Sequence, residues 1–169
     1  QNWVGNNFLI PAGPLREKLN SLKKYNGIFL KGDDSSKDEI INSIKMVNKE
    51  IKIFFTYYQI LNLKKLDINK EYLIFSGIGD PLNFKNILLK NNFKIVEEII
   101  YPDHYQYKNK DINQIKYKAD KLNAEIITTE KDYVKISKEN CDNINFLEVD
   151  LKIKNEEKLI NLIKSKLNE

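Results

Sequence analysis

Short apolar runs alternate with stretches of helical period from about residue 27 to residue 167. The runs at 27–30, 51–57, 72–76, 94–100, 125–128 and 145–149 are rich in Ile, Phe and Tyr and short enough to be strands. Between the first two, Ile40, Ile41, Ile44 and Val47 recur at helical spacing within 37–49, with Ser35 and Ser36 available as caps. A second helix is predicted over 81–91, opened by Pro81 where a missing N–H costs little. Further helices are predicted over 111–122 and 156–167, with a short one running from a cap at Thr129 or Asp132 through Ile136. Residues 60–70 read as a short helix or a connector.

This order predicts an α/β fold of Rossmann-like type, a mostly parallel sheet with helices on both faces. The 169 residues fit one such domain with part of a second. A soft boundary divides residues 1–58 from a more complete α/β unit at 72–169, with 59–71 as linker.

Composition narrows the picture. With 41% hydrophobic and 31% charged residues the chain can build a core. A formal charge of +4 permits phosphate, nucleic acid or an anionic membrane surface as partner. The lysines are scattered and no aromatic run resembles an RNA-recognition strand, so nucleic acid is not expected. One cysteine, Cys141, and one histidine exclude an internal disulfide and a standard zinc site, so no protein-built metal site is expected. A reducing cytoplasm fits this cysteine usage. No apolar run approaches membrane-spanning length and no signal-peptide pattern opens the chain. Its start at Gln1 leads us to expect a processed protein or a fragment.

Open α/β sheets bind ligands beyond the carboxyl ends of their strands. The loops there read SGIGDP (76–81), YPDHYQY (101–107) and TTEKD (128–132). With PAGPLRE (11–17) they hold all four prolines, the one histidine and the one arginine. Gly77 and Gly79 allow either amides aimed at an anion or a tight strand-to-helix turn capped by Asp80, and the turn is favoured because the third glycine of a dinucleotide fingerprint is Leu82. His104, with Asp103 beside it, could relay a proton from a hydroxyl, or be an exposed loop histidine. Thr128, Thr129, Glu130, Lys131 and Asp132 could line the same edge, and taken alone they read as a helix cap. Gly13 and Pro14 are expected to open a helix carrying Arg16 and Glu17 in its first turn. An arginine there opposes the helix dipole, so a fork for phosphate or carboxylate is the better reason for it than a surface pair.

Four stretches, GNNFLIPAGPLRE (5–17), FSGIGDPLNF (75–84), YPDHYQY (101–107) and IITTEKDYVKI (126–136), resemble the tetraacyldisaccharide 4'-kinase family of lipid A biosynthesis in Gram-negative bacteria. The resemblance covers nearly the whole chain and the C-terminal half of the family's length. It implies transfer of the ATP γ-phosphoryl group, with Mg2+, to the 4'-hydroxyl of a tetraacylated glucosamine disaccharide 1-phosphate. It also implies a peripheral location at the cytoplasmic face of the inner membrane, and a P-loop core domain followed by a Rossmann-like lobe with nucleotide between. Residues 1–58 would then be the end of the core domain. His104 would activate the sugar hydroxyl together with an aspartate of the N-terminal domain. Arg16, as a substrate-binding residue, and Glu17, as a catalytic one, would lie at the core-domain edge near the acceptor and the metal–phosphate centre, while Gly77, Gly79, Asp103 and residues 128–132 would line the cleft.

The sequence departs from that family by lacking GxxxxGK[ST], the DDGFQ-type segment, the aspartate partner and the membrane-associating helix. The main ATP-binding residues are therefore expected outside this chain, and the chain alone is expected to be inactive. Two other readings stay open at this point. One is a stand-alone Rossmann-like enzyme for a nucleotide or methyl donor, and the other a non-catalytic domain for an anionic ligand.

Overall fold

The central strand of the better-formed sheet is TyrLeuIlePheSer preceded by Glu71, and five of its six residues are buried. A strand buried on both faces needs a helix layer on each side, and the chain supplies both. The structure, a computed structural model, describes residues 4–32 and 37–168; Ser35 and Ser36, read above as caps, lie outside these. By internal contacts the chain divides into two compact units, residues 1–57 with 151–169, and residues 58–150.

In the first unit, β1 (Gly27–Lys31) pairs in parallel with β2 (Lys52–Ile60), the intervening α1 (Asp38–Val47) burying Ile44. In the second, β3 (Glu71–Ser76), α2 (Pro81–Lys90), β4 (Lys94–Ile100), α3 (Asn109–Leu122), β5 (Glu125–Thr129), α4 (Glu130–Tyr133) and β6 (Ile144–Leu147) follow in turn. The chain closes with β7 (Val149–Ile153) and α5 (Glu156–Leu167). The strand orders are β1-β2-β7 and β4-β3-β5-β6, and every pairing in the four-stranded sheet is parallel.

The expected Rossmann-like arrangement is present, and β3 explains it residue by residue. Tyr72 and Ile74 face one layer, packing with Phe84 and Leu88 of α2. Leu73 and Phe75 face the other, packing with Ile112, Ile115 and Ala119 of α3. Adjacent β5 repeats the alternation, with Ile127 in the first cluster and Ile126 in the second. The chain leaves β3 towards β4 on one side and reaches β5 on the other, so the topological switch point lies between β3 and β5.

Three boundaries differ from the sequence expectation. The apolar run at 145–149 is two strands, broken at Glu148, whose N–H donates to the Asn62 side chain at 3.0 Å. The stretch expected as linker, 59–71, instead belongs to the second unit. Asn62 donates to the Phe146 carbonyl at 2.7 Å, Leu66 is buried, and only residues 63–65 make a short 3-10 turn. The last helix, expected with 72–150, groups with the first unit, because β7 joins the sheet of β1 and β2. A methyl group on Gly27 would lie 3.4 Å from Leu162 of α5.

Tyr72 in the core gives the fold a pH signature. Burial, reinforced by the charge of Glu125, pushes its hydroxyl up to about 12, while it donates to the Asp67 carbonyl at 3.0 Å. The unfolded chain ionises this tyrosine first, so stability should fall as pH rises from about 10 to about 12. Urea midpoints across that range should decline less steeply in Tyr72→Phe than in the parent chain.

Candidate functional site

Strand β3 ends in Ser76 and runs directly into Gly77, whose backbone N–H finds an unusual partner. It donates to Oδ2 of Asp132, 2.9 Å away and 55 positions later. Asp132 has no exposed surface, and a buried carboxylate is costly unless donors surround it. Three do so: Gly77, the Thr129 hydroxyl at 2.8 Å, and Lys135 Nζ at 2.9 Å on Oδ1. Thr129 is also the N-cap of α4, its Oγ1 accepting from Asp132 N–H at 3.1 Å. Of the two cap candidates, Thr129 has that role and Asp132 has a larger one. Thr128, fully buried, donates its hydroxyl to the Phe75 carbonyl at 2.8 Å and ties β5 to β3. Glu130 and Lys131 are exposed.

The glycines of GIGDP do not cradle an anion here. Asp132 occupies the Gly77 N–H, and Asp80 caps α2 by accepting from Asn83 N–H at 3.1 Å. What the glycines supply is room. A Cβ on Gly77 would stand 3.0 Å from Tyr107 Oη, 3.2 Å from the Pro102 carbonyl oxygen and 3.2 Å from Tyr105 Cβ. A Cβ on Gly79 would stand 3.3 Å from Asp103 Oδ2. The YPDHYQY loop thus lies against the glycine turn, and two motifs 24 positions apart in Gly77 and Tyr101 become one surface.

His104 sits on that surface in the left-handed region, at φ 61°. Its N–H donates to the Gly77 carbonyl at 3.1 Å and to Asp103 Oδ1 at 3.0 Å. The imidazole is about nine-tenths exposed, with Nε2 3.8 Å from Asp103 Oδ2, so a ligand could reach it. The structure therefore brings together Gly77, Gly79, Asp103, His104, Thr129 and Asp132 at the carboxyl edge of the sheet.

Sequence reasoning missed the tyrosines behind this loop, although their spacing at 101, 105 and 107 was a visible signal. Their rings pack within 4.6–5.3 Å centroid distance, Tyr107 edge-on to the other two, and Phe75 lies 5.4 Å from Tyr107. Burial, then the charge of Asp132, pushes the Tyr107 hydroxyl well above its ordinary value. That hydroxyl is buried without a partner of hydrogen-bonding geometry among the described residues.

Beside the switch point lies an apolar cavity of about 290 Å3, lined by Ile78, Phe84, Ile87 and Leu147 with Asn83 and Glu130 among its polar groups. Its size suits a single ring system, and its position is where open α/β sheets take ligands.

Arg16 and Glu17 belong to the first unit, and the helix expected to carry them is not formed. Instead, residues 5–15 close on themselves: Leu15 N–H donates to the Phe8 carbonyl at 3.2 Å, and Ile10 N–H to the Leu15 carbonyl at 2.8 Å. These bonds keep Pro14 and Leu15 out of helical geometry. The Asn6 side chain reaches the Ala12 carbonyl at 2.9 Å, and a Cβ on Gly13 would collide with Asn6 Oδ1 at 2.1 Å. The first helical turn, 3-10, begins only at Leu19. Both Glu17 oxygens accept from Tyr25 Oη at 3.0 Å, which pushes that tyrosine up, and Arg16 is exposed.

Fold and geometry together define a parallel α/β domain in which the GIGDP, YPDHYQY and TTEKD segments converge at the switch point. The chain belongs to the tetraacyldisaccharide-1-P 4'-kinase family, whose pattern matches residues 1–168. It is 44% identical over 168 residues to a tetraacyldisaccharide 4'-kinase of Pelagibacter ubique, a match spanning 99% of this chain and 53% of that relative. A Rickettsia bellii tetraacyldisaccharide 4'-kinase is 41% identical over 92% of the chain and 46% of its own length. The chain thus spans about half the length of the curated relatives it matches. Among solved structures, LpxK from Aquifex aeolicus in complex with ATP shares the fold, with TM-score 0.57 and 22% identity over 94% of this chain and 48% of that one.

Gly77→Ala should cost about 1–3 kcal/mol, through overpacking against the 102–107 loop. Chemical denaturation of the variant against the parent measures this.

Proposed function

We propose that this chain is the C-terminal portion of an ATP-dependent kinase that phosphorylates the 4'-hydroxyl of a tetraacylated glucosamine disaccharide 1-phosphate. The family match over residues 1–168 carries the reading, and the accessible His104 at the carboxyl edge of the sheet supports it. In the reaction the sugar oxygen forms a bond to the γ-phosphorus, the bond from that phosphorus to the β,γ-bridging oxygen breaks, and the hydroxyl proton must leave. His104 is the group proposed to take or relay that proton, paired with an aspartate outside this sequence. Arg16 is proposed to fork onto an anionic group of the acceptor and Glu17 to serve the metal–phosphate centre.

ATP supplies the phosphoryl group when bound. The cavity of about 290 Å3 at the switch point has room for a ring of adenine's size, for which Phe84 and Ile87 would supply an apolar wall and Asn83 and Glu130 polar groups. Triphosphate and Mg2+ have no such fit among the described residues, since Asp132 takes the Gly77 N–H and no group of three His, Cys, Asp or Glu converges. The reading therefore leaves their main contacts to residues outside this sequence, with Glu17 the group this chain would add. It extends to a peripheral position at the cytoplasmic face of the inner membrane; among the described residues no helix is long and apolar enough to cross a membrane. The occupied glycine turn removes support from a stand-alone dinucleotide-type enzyme. A ribose would need an acidic residue from the following strand, and Glu97 and Glu98 of β4 pair with Lys118 and Lys85.

The test joins this chain in frame to the N-terminal half of the Pelagibacter relative and follows phosphate transfer from ATP to the disaccharide. The chimera should turn over, the chain alone should not, and His104→Ala in the chimera should lower kcat by about 10²–10⁴-fold. Turnover by the chain alone, or an unchanged kcat in the variant, overturns the reading. Ile87→Trp, which fills the cavity, should raise the KM for ATP by roughly tenfold with a smaller effect on the disaccharide KM.

A further inference from the structure

Six non-glycine residues among those described have positive φ, and five are asparagines: Asn7, Asn92, Asn123, Asn143 and Asn155. Asparagine tolerates that region and this chain, with six glycines, uses it at turns and helix ends. The sixth is His104, at φ 61°. A strained conformation persists only where its surroundings hold it, and the imidazole itself, largely exposed, does not do so. The restraint has to come through the backbone.

That restraint can be followed atom by atom. His104 lies in a turn closed by Tyr105 N–H donating to the Pro102 carbonyl. Its own N–H is shared between Asp103 Oδ1 at 3.0 Å and the Gly77 carbonyl at 3.1 Å, and the N–H of the same Gly77 donates to Asp132 Oδ2 at 2.9 Å. Asp132 is wholly buried; Thr129 holds the same Oδ2 that Gly77 meets, whereas Lys135 meets only Oδ1. Tyr107 Oη closes the other side of the turn, 3.0 Å from where a Cβ on Gly77 would stand.

We propose that Asp132 is a positioning residue for His104: its buried carboxylate fixes Gly77, and Gly77 fixes the backbone that presents the imidazole. This assigns the aspartate of TTEKD a task across the switch point rather than within its own helix. The inference rests on the reading of His104 as the proton-handling group, but its test uses neither ATP nor acceptor. Failure here would leave the kinase reading standing, and an unaffected His104→Ala chimera would refute that reading while leaving the pin in place.

The test is amide hydrogen exchange on the whole 169-residue chain, followed by NMR. In Asp132→Ala, His104 and Gly77 amides should lose protection by roughly tenfold or more, through local opening. Asp132→Asn, which keeps a carbonyl oxygen for Gly77, should restore most of it. Lys135→Met removes only the ion pair and should leave His104 protection within about twofold of the parent. A purely structural role predicts the opposite pattern: core amides such as Ile115 weaken while His104 stays unchanged in Asp132→Ala, and that result overturns the proposal. Equal loss at His104 in Lys135→Met and Asp132→Ala overturns it as well. If Asp132→Ala does not fold, the unsubstituted chain decides. Scalar couplings through the hydrogen bonds should link Gly77 nitrogen to the Asp132 carboxylate carbon and His104 nitrogen to the Gly77 carbonyl carbon. Absence of either coupling overturns the proposal.

Discussion

A single buried carboxylate organises the edge of the sheet on which the candidate chemistry lies. Asp132 gives up solvation entirely and recovers it from a backbone amide on β3's turn, a hydroxyl on β5's end and an ammonium one helical turn away. Because the donors come from both sides of the switch point, the two strand ends cannot shift separately without exposing an unpaired charge to an apolar interior. Helix α4, only four residues long, could not supply such rigidity by itself.

This arrangement changes what the glycine turn is for. A glycine turn opening a helix normally invites an anion, because its free amides and the helix dipole favour negative charge. Here the negative charge is already present and belongs to the protein. The absent side chains at Gly77 and Gly79 serve instead to admit the 101–107 loop, and the tyrosines of that loop fill the space. A cradle for phosphate has become a seat for a histidine.

The first unit uses the same economy in PAGPLRE. Gly13 has no room for a side chain beside Asn6, and the backbone bonds of residues 8–15 hold Arg16 and Glu17 at the exit of a closed loop. Prolines and glycine in the motif build the mount, and only its last two residues carry charge outward.

Periodicity alone was enough to read the layers. The apolar runs of β3 and β5 and the helical spacing of α2 and α3 imply a parallel sheet covered on both faces, because a two-face-buried strand is apolar throughout while a helix shows one stripe. The rare residues, His104, Arg16 and the prolines, pointed to the candidate loops, because a lysine- and asparagine-rich background makes them conspicuous. Local pattern failed where partners are distant in sequence. No spacing rule could pair Gly77 with Asp132 or stop a helix at Pro14, and none could assign α5 to the sheet of β1, β2 and β7. Strand order decided the first, since β5 lies beside β3 only after the chain has gone out to β4 and returned; backbone bonds within 8–15 decided the second, and the place of β7 in its sheet the third. The buried aspartate then had a backbone amide to hold, and the histidine a fixed place to stand.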